Sequence, residues 1–291
     1  MAGRIPEWLK TDLPDLEALA PIQRSVARAG LNTICVEGRC PNKKHCFGAG
    51  SVSFLLLGRH CTRHCAFCNV SGELPERVDH GEPAKLKRAC RELGMKYVVL
   101  TSVTRDDLAD GGAGHFARCV AAIQQLESPP VIEVLVPDFG GRPESVRDVA
   151  GSGAEVFAHN VETVARLVPV IRDAACYKRS LGIIEMVSNE FPEIVVKSGL
   201  MVGLGETVEE VKHTLRDLRD AGCMIVSIGQ YMRPSRRHHA VDRYYAPEVF
   251  TELGRYAEEL GLVAVAGPRV RSSYLAGEAY QEANLRRRRC A

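Results

Sequence analysis

Six short apolar runs, separated by stretches of helical character, constrain the fold of this chain more than any other feature. The runs are 52–57 (VSFLLL), 97–103 (YVVLTSV), 132–137 (IEVLVP), 155–160 (EVFAHN), 196–203 (VKSGLMVG) and 225–232 (IVSIGQYM). Between them, stretches such as 82–94, 114–127, 144–153, 161–174 and 207–222 carry apolar residues at helical spacing and often end in Gly. Thr207 followed by Glu210 has the form of a capping box opening the helix at 207–221. Strands alternating with helices join through right-handed parallel crossovers, which leaves a partial barrel or a doubly wound sheet. Polar and glycine residues recur at the ends of the runs: Thr101-Ser102, Pro137-Asp138, His159-Asn160, Gly203 and Gln230. Such residues line the working rim of a barrel, so the expected fold is α/β, a partial (β/α)6 TIM-type barrel.

Three segments are expected, together forming one compact body. Residues 1–50 form a cysteine-rich N-terminal extension, 51–235 the barrel, and 236–291 a C-terminal extension that closes over it. That last part holds a helix at 247–261, the short apolar run LVAVAG and the motif RSSY. Its RRRR at 286–289 reads as a solvated, disordered end or, more sharply, as a steering patch for an acidic carrier protein.

Charge balance limits the partners. Thirty-eight Lys and Arg against 36 Asp and Glu give a net charge of only +2, and no aromatic pattern accompanies the basic residues, so nucleic acid is not expected. No apolar run approaches membrane-spanning length. The stretch MAGRIPEWLKTDLP lacks both the apolar core of a secretory signal and the character of a transit peptide, so the expected location is the cytoplasm.

Of eleven cysteines, six fall between positions 35 and 68. Cys90, Cys119, Cys176, Cys223 and Cys290 are scattered and read as small hydrophobes without a role. Cys61, Cys65 and Cys68 form C-x3-C-x2-C directly after the first run, on the first βα loop; Cys35, Cys40 and Cys46 form C-x4-C-x5-C upstream. Neither triplet has a fourth cysteine nearby. One reading of the downstream triplet is a structural zinc site completed by His60 or His64, although an x3 spacing is unusual for zinc knuckles. The other is an iron–sulfur cubane with one iron left open for an outside ligand.

C-x3-C-x2-C with Phe67 before the last cysteine resembles the signature of the radical S-adenosylmethionine (SAM) superfamily. Both triplets together, with RIPEWLK, CPNKKHCF, TSVTRDDLADGGAGHF, IEVLVPDFGG, KSGLMVGLGET, GQYMRPS and RSSY, resemble the lipoyl synthase family over residues 4–274. The resemblance implies two [4Fe–4S] clusters. One is on Cys61, Cys65 and Cys68, with SAM chelating the open iron. The other, auxiliary cluster is on Cys35, Cys40, Cys46 and a serine of RSSY, mapped to Ser273 with Ser272 as its neighbour. A serine oxygen is a harder donor than thiolate, which suits a cluster that is dismantled as the sulfur source.

The implied reaction removes hydrogen from C6 and, with a second SAM, from C8 of a protein-bound octanoyl group, and inserts sulfur at both. The implied catalytic residues are Cys61, Cys65, Cys68 and Ser273. The implied SAM contacts are Phe67, Thr101 and Ser102 (with Arg105 nearby), Asn160 and Glu162, and Gly199, Met201, Gly203 and Glu206 of GLMVGLGE, where Met201 stands for the usual Ile. The related stretch usually has Asn where Ala158 stands. Arg105-Asp106 also reads as a local surface ion pair, and Asn160 and Glu162 as caps of the following helix. The implied partners are an octanoylated lipoyl carrier domain or H-protein, a ferredoxin- or flavodoxin-type electron donor, and an iron–sulfur carrier that rebuilds the spent cluster. The rival readings are a biotin-synthase-like sulfur inserter, a methylthiotransferase and a non-enzymatic zinc protein. His238 and His239 read as part of a loop near the rim, without a role.

Overall fold

Strands buried on both faces need nearly continuous apolar sequence, and that is what this chain supplies between its helices. In chain order the strands are β1 (Asn32–Thr33), β2 (Val52–Leu56), β3 (Tyr97–Ser102), β4 (Val131–Leu135), β5 (Val156–Ala158), β6 (Val195–Val202), β7 (Ile225–Gln230) and β8 (Val263–Gly267). Every residue of β2, β5 and β7 is buried. The structure is a computed structural model that describes residues 4–10, 16–40, 42–48 and 51–290. The outer parts of the N-terminal stretch 1–14 and Pro41 of CPNKKHCF lie outside the described residues.

The chain divides into two compact units, one of Asp12–Arg63 and Asn69–Phe157, the other of Met1–Thr11, His64–Cys68 and Ala158–Ala291. In the first unit β2, β3 and β4 pair in parallel, with Val52 opposite Val98 and Tyr97 opposite Val131. The short β1 joins antiparallel, Thr33 opposite Phe54. The helices Glu82–Glu92 and Ala113–Gln124 pack on each other, burying Leu86, Phe116 and Val120 completely. Phe116 meets Phe139 edge to face, with ring centroids 6.4 Å apart.

In the second unit β6, β7 and β8 are parallel, with Lys197 opposite Ile225 and Ile225 opposite Val263. The helix Val208–Asp220 starts at Thr207 with both halves of the expected capping box. The run LVAVAG adds β8 to the sheet of this unit, and the helix Ala276–Cys290 packs against β6, β7 and β8. Within each unit the strands follow one another as in the chain, without the reversal of order that marks a doubly wound sheet. The six apolar runs are β2 to β7; β1 and β8 are additions.

Three expectations need correction. Residues 161–174 are mostly non-helical. Glu162 is in the left-handed region (φ 66°) and bridges Leu200 of β6, Pro169 lies early in the short helix Val168–Ile171, and the long helix of this region is Tyr177–Glu190. The arginines 286–289 are the last turns of the helix Ala276–Cys290, not a disordered end; cations are favoured at a helix C-terminus. Arg105 pairs with Asp107 rather than Asp106, and is buried rather than on the surface. No helix among the described residues is long and apolar enough to cross a membrane.

Candidate active site

The loop that carries the downstream cysteines leaves β2 through Leu57, a branched residue held at φ 67°. Such a conformation persists only where neighbours over-determine it. Here the Leu57 N–H donates to the Glu82 carboxylate at 3.1 Å, and Arg105 donates to the Leu57 carbonyl at 3.1 Å. Glu82 is in turn hydrogen-bonded to His115 Nε2 at 2.7 Å, both side chains being buried, and Cys119 lies beside them. The Leu57 side chain fills the space where a Cβ on Gly112 would fall, 2.3 Å from Cδ1.

In the first unit, Cys61 Sγ accepts two backbone N–H groups, from Arg63 at 3.4 Å and from Thr104 at 3.3 Å. Donors aimed at a sulfur tune a cluster bound through it. Arg63 forks onto Asp106 at 2.8 and 2.9 Å and reaches Asp138 at 2.7 Å. Burial works against the guanidinium charge, but the hydrogen bonds to Asp106 and Asp138 outweigh it, and Arg63 holds the Asp106 carboxyl below its ordinary range. Thr62 Oγ donates to the Thr104 carbonyl or to Asp106, each at 3.0 Å.

His60 lies in this unit with Nδ1 3.1 Å from the Leu74 carbonyl, so that ring nitrogen is engaged away from sulfur. At the end of β3, Thr101 donates to the Leu135 carbonyl, whereas the buried Ser102 Oγ has no hydrogen-bond partner among the described residues. An orphaned buried hydroxyl at a strand end fits a site that takes a polar ligand group.

The upstream triplet lies wholly in the first unit: Cys35 in the helix Ile34–Glu37, Cys46 in the helix Lys43–Gly48, and Cys40 in the loop between. The three are bound into one turn system, since Cys40 N–H donates to the Cys35 carbonyl and Lys43 N–H to the Cys40 carbonyl. Burial pushes the Cys46 thiol up to about 12, with the nearby Cys40 and Cys35 adding to it. Cys35 is also raised, first by burial, with Ser53 donors opposing. None of the six clustered cysteines is in a disulfide. At Cys35 and Cys46 bare thiolate charge is disfavoured, and a bound iron–sulfur core would neutralise it.

The second unit holds His64–Cys68. His64 N–H donates to Asp173 at 2.8 Å, Ala66 N–H to the Ile171 carbonyl at 2.9 Å, and Cys68 N–H closes a turn on the Cys65 carbonyl at 3.0 Å. The His64 ring is exposed and faces Asp173; Phe67 is half-buried. At the end of β5, Asn160 donates to Glu162 at 3.0 Å and accepts from Ser272 Oγ at 3.3 Å. Burial pushes the Glu162 carboxyl up, against the pull of Arg172 and the Asn160 amide.

A Cβ on Gly199 would meet Ser227 Oγ at 2.5 Å and Asn160 Oδ1 at 3.0 Å, so this glycine keeps the strand open beside Asn160. Met201 is half-buried and its N–H donates to the Glu162 carbonyl. Gly203 has φ 100°, and the Glu206 carboxylate accepts from the Gly203 and Leu204 N–H groups at 2.5 and 2.9 Å. Glu206 therefore shapes the glycine-rich turn. Ser273 is half-buried.

The pairing of Arg63 with Asp138, the Glu82–His115 pair behind Leu57 and the link from Ser272 to Asn160 were not expected from the sequence. Arg63 had one visible signal: it stands inside the cysteine motif.

A model of the radical SAM superfamily matches residues 55–218. The chain is 51% identical over 284 residues to lipoyl synthase of Pyrobaculum aerophilum, covering 96% of this chain and 97% of that protein. It is 44% identical over 279 residues to lipoyl synthase of Caldicellulosiruptor saccharolyticus, covering 96% and 98%. Among solved structures it is similar to methylornithine synthase (PylB), with a TM-score of 0.54 at 16% identity, covering 86% of this chain and 74% of that one. That likeness concerns the fold.

Proposed function

The chain belongs to the lipoyl synthase family of the radical SAM superfamily, and on that premise we propose which of its residues carry each part of the reaction. Sulfur insertion into a protein-bound octanoyl group is the role of this family, and the chain is an α/β radical SAM enzyme of the partial-barrel type that uses [4Fe–4S] clusters and SAM. When bound, one cluster with SAM supplies a 5′-deoxyadenosyl radical and the auxiliary cluster supplies sulfur.

In our assignment Cys61, Cys65 and Cys68 hold the first cluster. Cys35, Cys40, Cys46 and Ser273 hold the second. Ser102 and Thr101 receive the methionyl end of SAM, while Asn160, Glu162, Gly199, Met201, Gly203 and Phe67 line the rest of its berth. Glu206 acts by shaping the turn at Gly203. The observation that carries the assignment is the Cys61 sulfur, which accepts one backbone N–H from its own loop (Arg63) and one from the loop after β3 (Thr104), with Arg63 held by Asp106 and Asp138. The hydrogen bond of His60 Nδ1 to the Leu74 carbonyl removes that nitrogen from any zinc site.

We further assign residues 1–50 to the auxiliary cluster, 51–235 to the radical SAM barrel and 236–291 to the RSSY extension. The substrate carrier is a lipoyl domain or H-protein, the electron donor a ferredoxin or flavodoxin, and an iron–sulfur carrier restores the auxiliary cluster, all in the cytoplasm. Anaerobic reconstitution with SAM, dithionite and an octanoylated carrier peptide, followed by mass spectrometry, tests the reading. The peptide is expected to lose two hydrogens and gain two sulfurs. Production of 5′-deoxyadenosine with no sulfur gained would leave the radical chemistry and overturn the assignment.

A further inference from the structure

Two adjacent histidines take opposite grips on the site. His238 Nε2 lies 2.9 Å from the Cys68 carbonyl. A carbonyl only accepts, so Nε2 carries the proton; in the neutral ring Nδ1 is then the acceptor, and Ser235 Oγ donates to it at 2.8 Å. His239 Nε2 lies 3.1 Å from the Leu204 carbonyl, on the glycine-rich turn that Glu206 closes. Its backbone N–H donates to the Ala66 carbonyl at 2.8 Å, inside the cysteine loop.

The loop that carries the pair is itself fixed. Tyr231, the residue after β7, donates its hydroxyl to the His239 carbonyl at 2.8 Å, and Arg233 Nε donates to the His238 carbonyl at 2.8 Å. His238 is buried, so its bond to Cys68 is sheltered from competing water. All of these contacts lie within the second unit.

We propose that His238 and His239 form a brace that sets the Cys65–Cys68 turn at a fixed distance from the Gly203–Glu206 turn. His238 is thus a positioning residue for Cys68, and the pair registers the cluster ligand against the strand end where SAM lies. The proposal rests on the assignment of Cys65 and Cys68 as ligands of the first cluster. Partners that orient metal ligands typically change affinity or activity by about 10- to 100-fold when removed.

The test uses the full-length reconstituted protein. The EPR spectrum of the reduced first cluster is recorded against SAM concentration for the wild type, His238→Asn, His238→Gln and Ser235→Ala, together with iron content and thermal midpoint. Gln places a donor near the Nε2 position, whereas Asn reaches only the Nδ1 position. His238→Asn is expected to weaken the SAM-induced spectral change by about tenfold or more in concentration. His238→Gln should recover most of it, and Ser235→Ala should give a smaller weakening of the same sign.

Equal SAM responses in His238→Asn and His238→Gln, whatever their thermal midpoints, would overturn the brace. If His238→Asn does not fold, Ser235→Ala with a wild-type SAM response overturns it alone. A wild-type protein with no SAM-induced change would remove the ligand assignment and the brace together, and is seen before any substitution is made.

Discussion

Gly199 shows how one absent atom holds a site open. Its missing Cβ leaves room for Asn160, which links Glu162 to Ser272. Gly199→Ala is expected to push Asn160 aside, weakening SAM binding about tenfold by equilibrium dialysis, with an overpacking penalty of about 1–3 kcal/mol in urea unfolding. An unchanged SAM affinity would detach Asn160 from the berth. Ser273 is open to test by two substitutions. Ser273→Ala should lower the iron content toward half by loss of the auxiliary cluster. Ser273→Cys should keep the iron while slowing sulfur delivery, because thiolate is the softer and firmer ligand. Iron and sulfide analysis beside single-turnover product counts separates the two.

Among elements, the helix Val208–Asp220 was legible down to its cap, because Thr207 and Glu210 interact within one turn. Thr207→Ala should cost about 1 kcal/mol in urea unfolding. Arg166 first, then the Thr207 N–H, draws the half-buried Glu210 carboxyl down to about 2. A carboxyl depressed on folding stabilises the native state above its unfolded value of about 4.3, and loses that contribution as pH falls through the folded value. The difference in urea midpoint between wild type and Glu210→Gln should therefore stay level from about pH 8 to about pH 5.5, and shrink below about pH 4. The helix Tyr177–Glu190 was not legible. It starts at Cys176 without a side-chain cap and carries Gly182, while the apolar residues at 161–174 offered a false helical pattern. The cysteine loop lies between these cases. Its cysteines were plain in sequence, but the fork of Arg63 onto Asp106 and its reach to Asp138 were not. Arg63→Lys keeps the charge and loses the fork; reconstituted iron per chain is expected to fall while secondary structure by circular dichroism does not.

For the molecule as a whole, a net charge of +2 provides little overall steering, so any electrostatic preference for a carrier must be local. The last helix ends on a run of four arginines, of which Arg286 pairs with Glu282. Arg286 donates to the Leu262 carbonyl and Arg287 to the Pro192 carbonyl, so the turn is anchored as well as charged. Deleting 286–291 should lower the thermal midpoint by a few degrees, raise KM for an acidic octanoylated carrier about twofold and flatten its salt dependence. Unchanged KM and salt response would end the steering idea. The sequence by itself determined the succession of βα elements, the two cysteine triplets and the family, because periodicity and ligand spacing are written in contiguous residues. Only the tertiary structure decided that His238 would meet Cys68 across 170 positions, and Ser272 would meet Asn160 across 112. Such hydrogen bonds depend on how finished elements pack, and no local pattern of residues encodes which carbonyl a distant side chain will reach.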